Sequence, residues 1–215
     1  MIRKATYEDL PELMEIFSAA RGIMRASGNM NQWNDSYPSE DIISKDIAQG
    51  VCYVLCEHPA PPHCHPESSN GHPEPLTCHP ESSNGHPEPL TCHPERSEGS
   101  FHTSGTILAT MAFIPGPDPT YARIYDGHWL DGSPYHVIHR IAVREPGHHA
   151  AARLLEWAFT QTSCIRIDTH KDNVIMHHIL SKHGFTRCGV IHLLNGDPRE
   201  AFQKNLRNAP DHIKH

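Results

Sequence analysis

The sequence predicts an α+β domain in which strands and amphipathic helices alternate and one repetitive segment interrupts the order. Short apolar runs alternate with stretches whose apolar residues recur every three to four positions. The segment 58–104 differs sharply in composition from the rest of the chain. Without it about 168 of the 215 residues remain, which is enough for one hydrophobic core.

The first half of the chain predicts a strand, two helices and two further strands. Leu10, Leu13 and Phe17 lie at helical spacing behind Thr6, a residue type that caps helices. The predicted elements are a strand at Ile2–Thr6, a helix from Thr6 to between Gly22 and Arg25, a helix from Pro38 to Gly50, and strands at Val51–Cys56 and Gly105–Ile114.

The second half predicts strands that alternate with helices and then a hairpin. Tyr135–Val143 is apolar enough for a central strand, and Gly184 ends the last helix. The remaining predicted elements are helices at His148–Thr162 and Asn173–His183, a strand at Ile165–Asp168, and hairpin strands at Phe185–Leu193 and Glu200–Lys204 around Asn195–Pro198.

The interrupting segment is a tandem repeat. Cys64–Thr77 recurs unchanged at Cys78–Thr91, a third copy starts at Cys92, and the segment holds 10 of the 19 prolines and eight of the 20 histidines. It has too few apolar residues to offset the entropy of ordering it, so we expect a disordered insertion. Closing so long a loop costs only about 2 kcal/mol more than a short turn. We therefore expect one domain over residues 1–207, with segment 58–104 inserted in it and residues 208–215 as a tail.

A metal-binding function of the repeat is the alternative interpretation. The Cys-His pairs at 64/65, 78/79 and 92/93 have suitable ligand types. Structural zinc sites, however, space their paired ligands two to five residues apart, and the 14-residue spacing here does not organise such a site. We predict no metal site.

Composition and charge exclude several classes of protein. The net charge of −7 argues against a nucleic-acid partner, which requires a basic surface. No apolar run approaches the roughly 20 residues of a membrane span. Met1–Thr6 is followed by acidic residues, unlike a signal peptide, and the 7 cysteines form a poor disulfide framework. We expect a cytoplasmic protein with no membrane partner.

The second half also carries a set of motifs found together in one family. They are His139–Val143, Leu154–Leu155, the run from Ile165 to Asn173, and Lys182–Phe185. In this arrangement the chain resembles the GNAT superfamily of acetyl-CoA-dependent N-acetyltransferases, over all of its length except segment 58–104. The resemblance implies a GNAT-like mixed, mostly antiparallel sheet flanked by helices, with acetyl-CoA between two neighbouring strands that splay apart.

Acetyl-CoA requires hydrogen bonds for its extended pantetheine and donors for its pyrophosphate. A free strand edge beside a bulge supplies the first, and a helix N-terminus, with its unpaired N–H groups, supplies the second. The resemblance also implies that an asparagine amide at the start of the next helix contacts the cofactor. The predicted cofactor-binding residues are Ile141, Ala142, Val143, Gly147, His148, His149, Ala150, Ala151 and Asn173.

The chain departs from the family pattern at two places. The usual pyrophosphate loop, Arg/Gln-x-x-Gly-x-Gly/Ala, here has Pro146 at its first position and His149 at its second glycine. A side chain there would crowd the pyrophosphate, although the backbone donors would remain. Leu180 occupies the position of a tyrosine that often protonates the leaving thiolate, and a leucine cannot do so.

Acetyl transfer to an amine requires a group that accepts the ammonium proton. The candidates are His139, Asp168 and His170, each with an ordinary structural role as the alternative. The aromatic residues Trp33, Tyr37, Trp129 and Tyr135 come from segments that shape the acceptor pocket in such proteins, with loop packing as the alternative.

Two functions follow from the sequence. The first is N-acetylation of a primary amine of a small molecule or peptide by acetyl-CoA, in a monomer or homodimer. The second is a non-catalytic GNAT-like module that binds a ligand or partner. The altered loop and Leu180 favour this hypothesis.

Overall fold

A computed structural model describes residues 1–57 and 105–208, which form one seven-stranded sheet with two helices on each face. The strands are β1 (Ile2–Lys4), β2 (Cys52–Cys56), β3 (Ile107–Pro115), β4 (His136–Val143), β5 (Cys164–Thr169), β6 (Thr186–His192) and β7 (Pro198–Asn205). The helices are α1 (Leu10–Ala26), α2 (Glu40–Ala48), α3 (Ala150–Gln161) and α4 (Val174–Lys182).

The strand order across the sheet is β1-β2-β3-β4-β5-β7-β6. Every described neighbouring pair is antiparallel except β4 and β5, which run parallel. The α+β fold class and the mixed, mostly antiparallel sheet predicted from the sequence are therefore confirmed. The predicted insertion at 58–104 lies outside the described residues, as do residues 209–215 of the predicted tail, so the domain boundaries stay a prediction.

The two faces of the sheet carry separate cores. One core packs α3 and α4 on the central strands, with Leu154 and Leu180 fully buried against Ile165. The other packs α1 and α2 on the first three strands and contains Phe17 and Ile43. Burial of such side chains contributes about 1.5–3 kcal/mol each, so both layers hold the central strands in place.

The ends of several elements differ from the sequence prediction for local reasons. β1 ends at Lys4 because the Thr6 N–H donates to the Asp9 carboxylate at 2.7 Å and a short 3-10 turn starts there. α3 begins at Ala150 and not at His148, because His149 has a left-handed conformation with φ of 51°. A left-handed residue cannot continue a right-handed helix.

The two described segments lie side by side at the end of the β2–β3 ladder. The Glu57 N–H donates to the Thr106 carbonyl oxygen at 2.9 Å, next to the pair formed by Cys56 and Ile107. The β2–β3 ladder thus continues to the last described residues on either side of segment 58–104.

In these two segments no helix is long and apolar enough to cross a membrane.

β4 contains a bulge at Arg140. Thr110 pairs with Ala142 and Ala112 pairs with His139, so Met111 on β3 faces two residues of β4. Arg140 has φ of 53°, a left-handed conformation that costs a non-glycine residue roughly 1–2 kcal/mol. A bulge of this kind bends a strand and interrupts its pairing.

A buried ion pair holds this bulge. The Arg140 guanidinium donates from Nε and Nη2 to the two carboxylate oxygens of Asp46 on α2, at 2.8 and 2.9 Å. Asp46 is buried and the Arg140 side chain is 13% exposed, and the bidentate geometry satisfies both carboxylate oxygens. The pair therefore connects α2 to the one strongly bent point of the central strand.

Removing Asp46 should destabilise the protein strongly. We expect Asp46→Ala to lower the free energy of unfolding by about 3–5 kcal/mol, because it leaves a buried guanidinium without a counter-charge. Asp35→Ala is the matched control, since Asp35 pairs with Arg25 at an exposed site and should contribute less than about 1 kcal/mol. Urea denaturation of both variants measures the difference, and equal losses would contradict this account.

Candidate active site

The pairing of β4 with β5 stops half-way along β4. The paired residues are His136 with Ile165, Val137 with Arg166 and Ile138 with Ile167, whereas β4 continues to Val143. Beyond Ile138 the two strands separate, and the β4 edge that faces away from β3 has no partner among the described strands. This edge begins at the bulge and offers unpaired backbone donors and acceptors.

A cavity of about 590 Å³ occupies the space where the strands separate. Several of the predicted cofactor-binding residues line it: Ile141, Ala142, Val143, Ala151 and Asn173. The loop residues Gly147, His148, His149 and Ala150 lie next to this wall and are not among its lining residues. Helix α3 starts from that loop, so its unpaired N–H groups lie at the end of the open β4 edge.

The loop before α3 uses two left-handed residues. Gly147 has φ of 95° and an added Cβ there would meet open space, whereas His149 has φ of 51°. His149 is exposed and forms no side-chain cap for α3, and His148 lies 3.6 Å from the Glu145 carboxylate. Both residues thus have the left-handed conformation that favours glycine, although His149 carries a side chain.

His139 lies between two aspartates in the cavity wall. Its Nε2 is 3.0 Å from Asp118 Oδ2 and its Nδ1 is 3.6 Å from Asp168 Oδ1. The three side chains are mostly buried but line the cavity. The hydroxyl of buried Tyr121 donates to the same Asp168 oxygen at 2.6 Å. The structure therefore brings together two of the three predicted catalytic residues and adds Asp118 and Tyr121 to them.

The charge of Asp118 determines which histidine nitrogen carries a proton. Burial alone would raise the pKa of Asp118, but hydrogen bonds from His139 and Thr120 outweigh it and lower the pKa to about 2. An ionised carboxylate can only accept, so His139 Nε2 must be the donor. In the neutral imidazole Nδ1 then carries the lone pair, and it faces the cavity wall next to Asp168.

The third predicted catalytic residue, His170, lies apart from this group. Its Nδ1 is 3.4 Å from Asp172 Oδ2 and accepts the Asp172 N–H at 3.3 Å. His170 is not among the residues that line the cavity. Its contacts organise the turn between β5 and α4, which does not support its assignment as a base.

The predicted aromatic residues divide into two pairs. Trp33 and Tyr37 line the cavity and pack edge to face with ring centroids 6.0 Å apart. Trp129 and Tyr135 instead enclose the Arg166 guanidinium, at 4.0 and 3.9 Å from its central carbon. That pair does not line the cavity, because it is engaged in packing the loop before β4 onto β5, so its position does not support an acceptor-pocket role.

Asn173 has a structural role in addition to its position in the cavity wall. Its Oδ1 accepts the Met176 N–H at 3.0 Å, which caps α4, and its Nδ2 donates to Gln32 Oε1 at 2.7 Å. Gln32 also accepts from Asn29 at 2.8 Å. Asn173 thus connects the α1–α2 loop to the start of α4, and its contact with a cofactor stays a prediction.

Several cavity-lining residues with charged or amide side chains were not predicted from the sequence, among them Asp118, Gln32 and Arg199. Asp118 had a local signal, because Asp-Pro-Thr is a sequence typical of a capped turn and Asp118 does accept the Thr120 N–H at 2.8 Å. Gln32 and Arg199 had none, since their positions depend on contacts far away in the chain. In the described segments no group of three or more His, Cys, Asp or Glu residues could hold a metal ion.

Comparison with solved structures finds close matches to this fold. The chain is similar to a GNAT-family acetyltransferase from Streptococcus agalactiae, with 27% identity, a TM-score of 0.66, and coverage of 95% of this chain and 94% of that one. This chain belongs to the GNAT superfamily. No protein-family model matches the sequence. No curated protein matches it significantly.

Two further GNAT-like structures share the fold at lower identity. A putative acetyltransferase from Staphylococcus aureus matches with 18% identity and a TM-score of 0.56, covering 96% of this chain and 99% of that one. A GNAT-family acetyltransferase from Listeria monocytogenes matches with 16% identity and a TM-score of 0.56, covering 96% and 94%. Leu180, which the sequence motifs predict to stand at the position of the family's tyrosine, is fully buried in the core.

The Asp118–His139 contact should make stability depend on pH. We expect Asp118→Asn to lower the free energy of unfolding at neutral pH by about 1–2 kcal/mol. Because the folded-state pKa of Asp118 is about 2, below its ordinary value of 3.8, this stabilisation is present above about pH 4 and is lost as the pH falls towards 2. Guanidinium denaturation of both proteins between about pH 7 and pH 3 measures it. A gap between them that did not narrow below about pH 4 would refute the assignment.

Proposed function

We propose that this GNAT protein transfers the acetyl group of acetyl-CoA to a primary amine, with His139 as the group that accepts the ammonium proton. The observation that carries the proposal is the oriented His139–Asp118 pair, 3.0 Å apart, in the wall of a cavity that opens where β4 and β5 separate. The GNAT fold supports acetyl transfer in general. The choice of an amine as the acceptor rests on His139 as the proton acceptor.

Acetyl-CoA would lie along the open edge of β4. The backbone of Ile141–Val143 offers hydrogen bonds to an extended pantetheine, and the N-terminus of α3 offers N–H donors and a positive dipole end to the pyrophosphate. An N–H of Ile141 or Ala142 would polarise the thioester carbonyl, because a fixed donor stabilises the negative charge that develops on its oxygen. These donors belong to the backbone, so the exposed His149 side chain does not remove them.

The acceptor amine would enter beside His139 and Asp168. His139 Nδ1 and Asp168 Oδ1 are 3.6 Å apart, too far for a direct hydrogen bond and suitable for an ammonium group that donates to both. His139 takes one proton from the ammonium, and the neutral nitrogen attacks the thioester carbonyl carbon. The new C–N bond would form and the C–S bond would break, so that CoA would leave as the thiolate and take up, directly or through water, the second proton that the nitrogen loses in becoming an amide. Asp118 fixes the tautomer and stabilises the charged imidazole, as the carboxylate of a catalytic triad does.

Replacing His139 should slow the chemical step without affecting cofactor binding. We expect His139→Ala to lower kcat by about 10²–10⁴-fold, the usual contribution of a positioned base, in an assay of thiol release from acetyl-CoA with a panel of amines and peptides. His136→Ala is the matched control, because His136 lies on the same strand, stacks on Phe113 at 4.5 Å and does not line the cavity.

The assay also separates this proposal from the non-catalytic module. Acetyl-CoA at 100 times its dissociation constant should stabilise the wild-type protein by about 2.7 kcal/mol, measured as a thermal shift. A shift without thiol release with any acceptor would favour the binding module, and the absence of a shift would contradict the proposed cofactor.

The first turn of α3 allows a test of the pyrophosphate position. Ala151→Glu should stabilise α3 by about 0.3–1 kcal/mol, because an acidic side chain suits a helix N-terminus. It should nevertheless weaken acetyl-CoA binding at least about tenfold, since Ala151 lines the cavity and the new carboxylate would repel the pyrophosphate. Ala152→Glu places the same charge in the same turn but outside the cavity lining. Calorimetric titration of both variants should separate them, and equal affinities would remove the pyrophosphate from this turn.

A further inference from the structure

Three arginines of the sheet are buried or mostly buried, and two of them have evident structural partners. Arg140 forms the bidentate pair with Asp46, and Arg166 is stacked between two aromatic rings. The third, Arg199 at the start of β7, has a side chain only 6% exposed and lines the cavity. Burying a charged guanidinium is costly, so we expect Arg199 to have a carboxylate or a stacked ring as its partner, as the other two arginines have.

Arg199 has no such partner among the described residues. Nη1 donates to the Pro198 carbonyl oxygen at 2.9 Å, and Nη2 lies 3.8 Å from Asp197 Oδ2, too far for a hydrogen bond. Asp197 is half exposed, and its Oδ2 already accepts from Asn195 Nδ2 at 2.8 Å. A guanidinium has five N–H donors, so most of its capacity for hydrogen bonding is left for a ligand in the cavity.

The position of Arg199 relates it to the proposed amine site. Asp168 pairs with Ala201 across β5 and β7, and Arg199 is two residues from Ala201, so both side chains leave the same face of the sheet. Diagonal neighbours of this kind have Cα atoms about 7–8 Å apart. One small molecule therefore spans the distance between an amine held at Asp168 and an anionic group held at Arg199.

We propose that Arg199 binds a carboxylate of the acceptor, so that the acceptor is an amino acid and not a simple amine. A planar guanidinium matches a carboxylate with two parallel hydrogen bonds, and its burial strengthens them. The inference rests on the proposed function, since it assumes that the amine binds at His139 and Asp168. The ammonium would then lie beside Asp168 and the carboxylate beside Arg199.

The experiment compares ligands that differ only in the carboxylate. Four amino acids, glycine, alanine, leucine and phenylalanine, are paired with methylamine, ethylamine, isoamylamine and 2-phenylethylamine. Turnover is measured with each pair, and the binding of the N-acetylated form of each to the CoA-loaded, full-length protein is measured by calorimetry. The proteins are wild type, Arg199→Gln, Arg199→Lys and the control Arg187→Gln, which removes an exposed arginine that pairs with Glu200 at 3.0 Å.

In the wild-type protein we expect at least one amino-acid ligand to bind about 10- to 100-fold more tightly than its amine counterpart, the strength of one charge-assisted contact. Arg199→Gln should abolish that preference, Arg199→Lys should retain part of it, and Arg187→Gln should leave it unchanged. The affinity of each variant for CoA should equal that of the wild type, which shows that the variant is folded.

The turnover and binding measurements test the two proposals independently. Arg199-dependent binding without turnover would support the carboxylate site and contradict the transferase proposal. Turnover of the amines with no preference for the carboxylate would support the transferase and overturn the carboxylate site. Binding that is absent in every pair, or unaffected by Arg199→Gln, overturns the inference whatever the turnover. If Arg199→Gln does not bind CoA, the comparison of Arg199→Lys with the wild type decides, and an unchanged preference overturns it.

Discussion

The buried contact between Arg140 and Asp46 is the interaction on which the candidate site depends. Arg140 holds β4 in a left-handed bulge, and the bulge marks the point beyond which β4 no longer pairs with β5. A straight β4 would continue the parallel ladder and close the cavity. The ion pair joins this bend to α2, so a helix on one face of the sheet stabilises an irregular backbone in its centre.

The charges around the cavity follow from which groups are neutralised within the protein and which are not. Arg140 is matched by Asp46, and the Tyr121 hydroxyl donates to Asp168, where burial and the carboxylate charge hold the pKa of Tyr121 well above its ordinary value. Asp118 and Asp168 line the cavity, and so does Arg199. These acidic and basic side chains come from the loop before β4 and from strands β5 and β7, which lie far apart in the sequence.

The sequence was sufficient for the fold and for part of the site. Apolar spacing and cap residues predicted the described helices and strands with errors of a few residues at their ends, as at His149, where a left-handed residue delays the start of α3. His139 and Asp168 were predicted because they lie on the central strands. Asp118 and Arg199 were not, because their significance comes from their partners, or from the lack of them, which sequence spacing does not contain. Trp129 and Tyr135 show the opposite case: their residue type indicated a pocket, whereas the structure places both rings against Arg166.

The hydrogen bond between Glu57 and Thr106, at the end of the β2–β3 ladder, has a consequence for the history of the gene. Because the ladder is already complete at that point, a flexible loop that joined the two residues could be halved or doubled in length at a cost of only about 0.6 kcal/mol in closure entropy. Identical 14-residue units are the product expected from slippage during DNA replication. Copies gained or lost by such a loop would therefore change the stability of the sheet little.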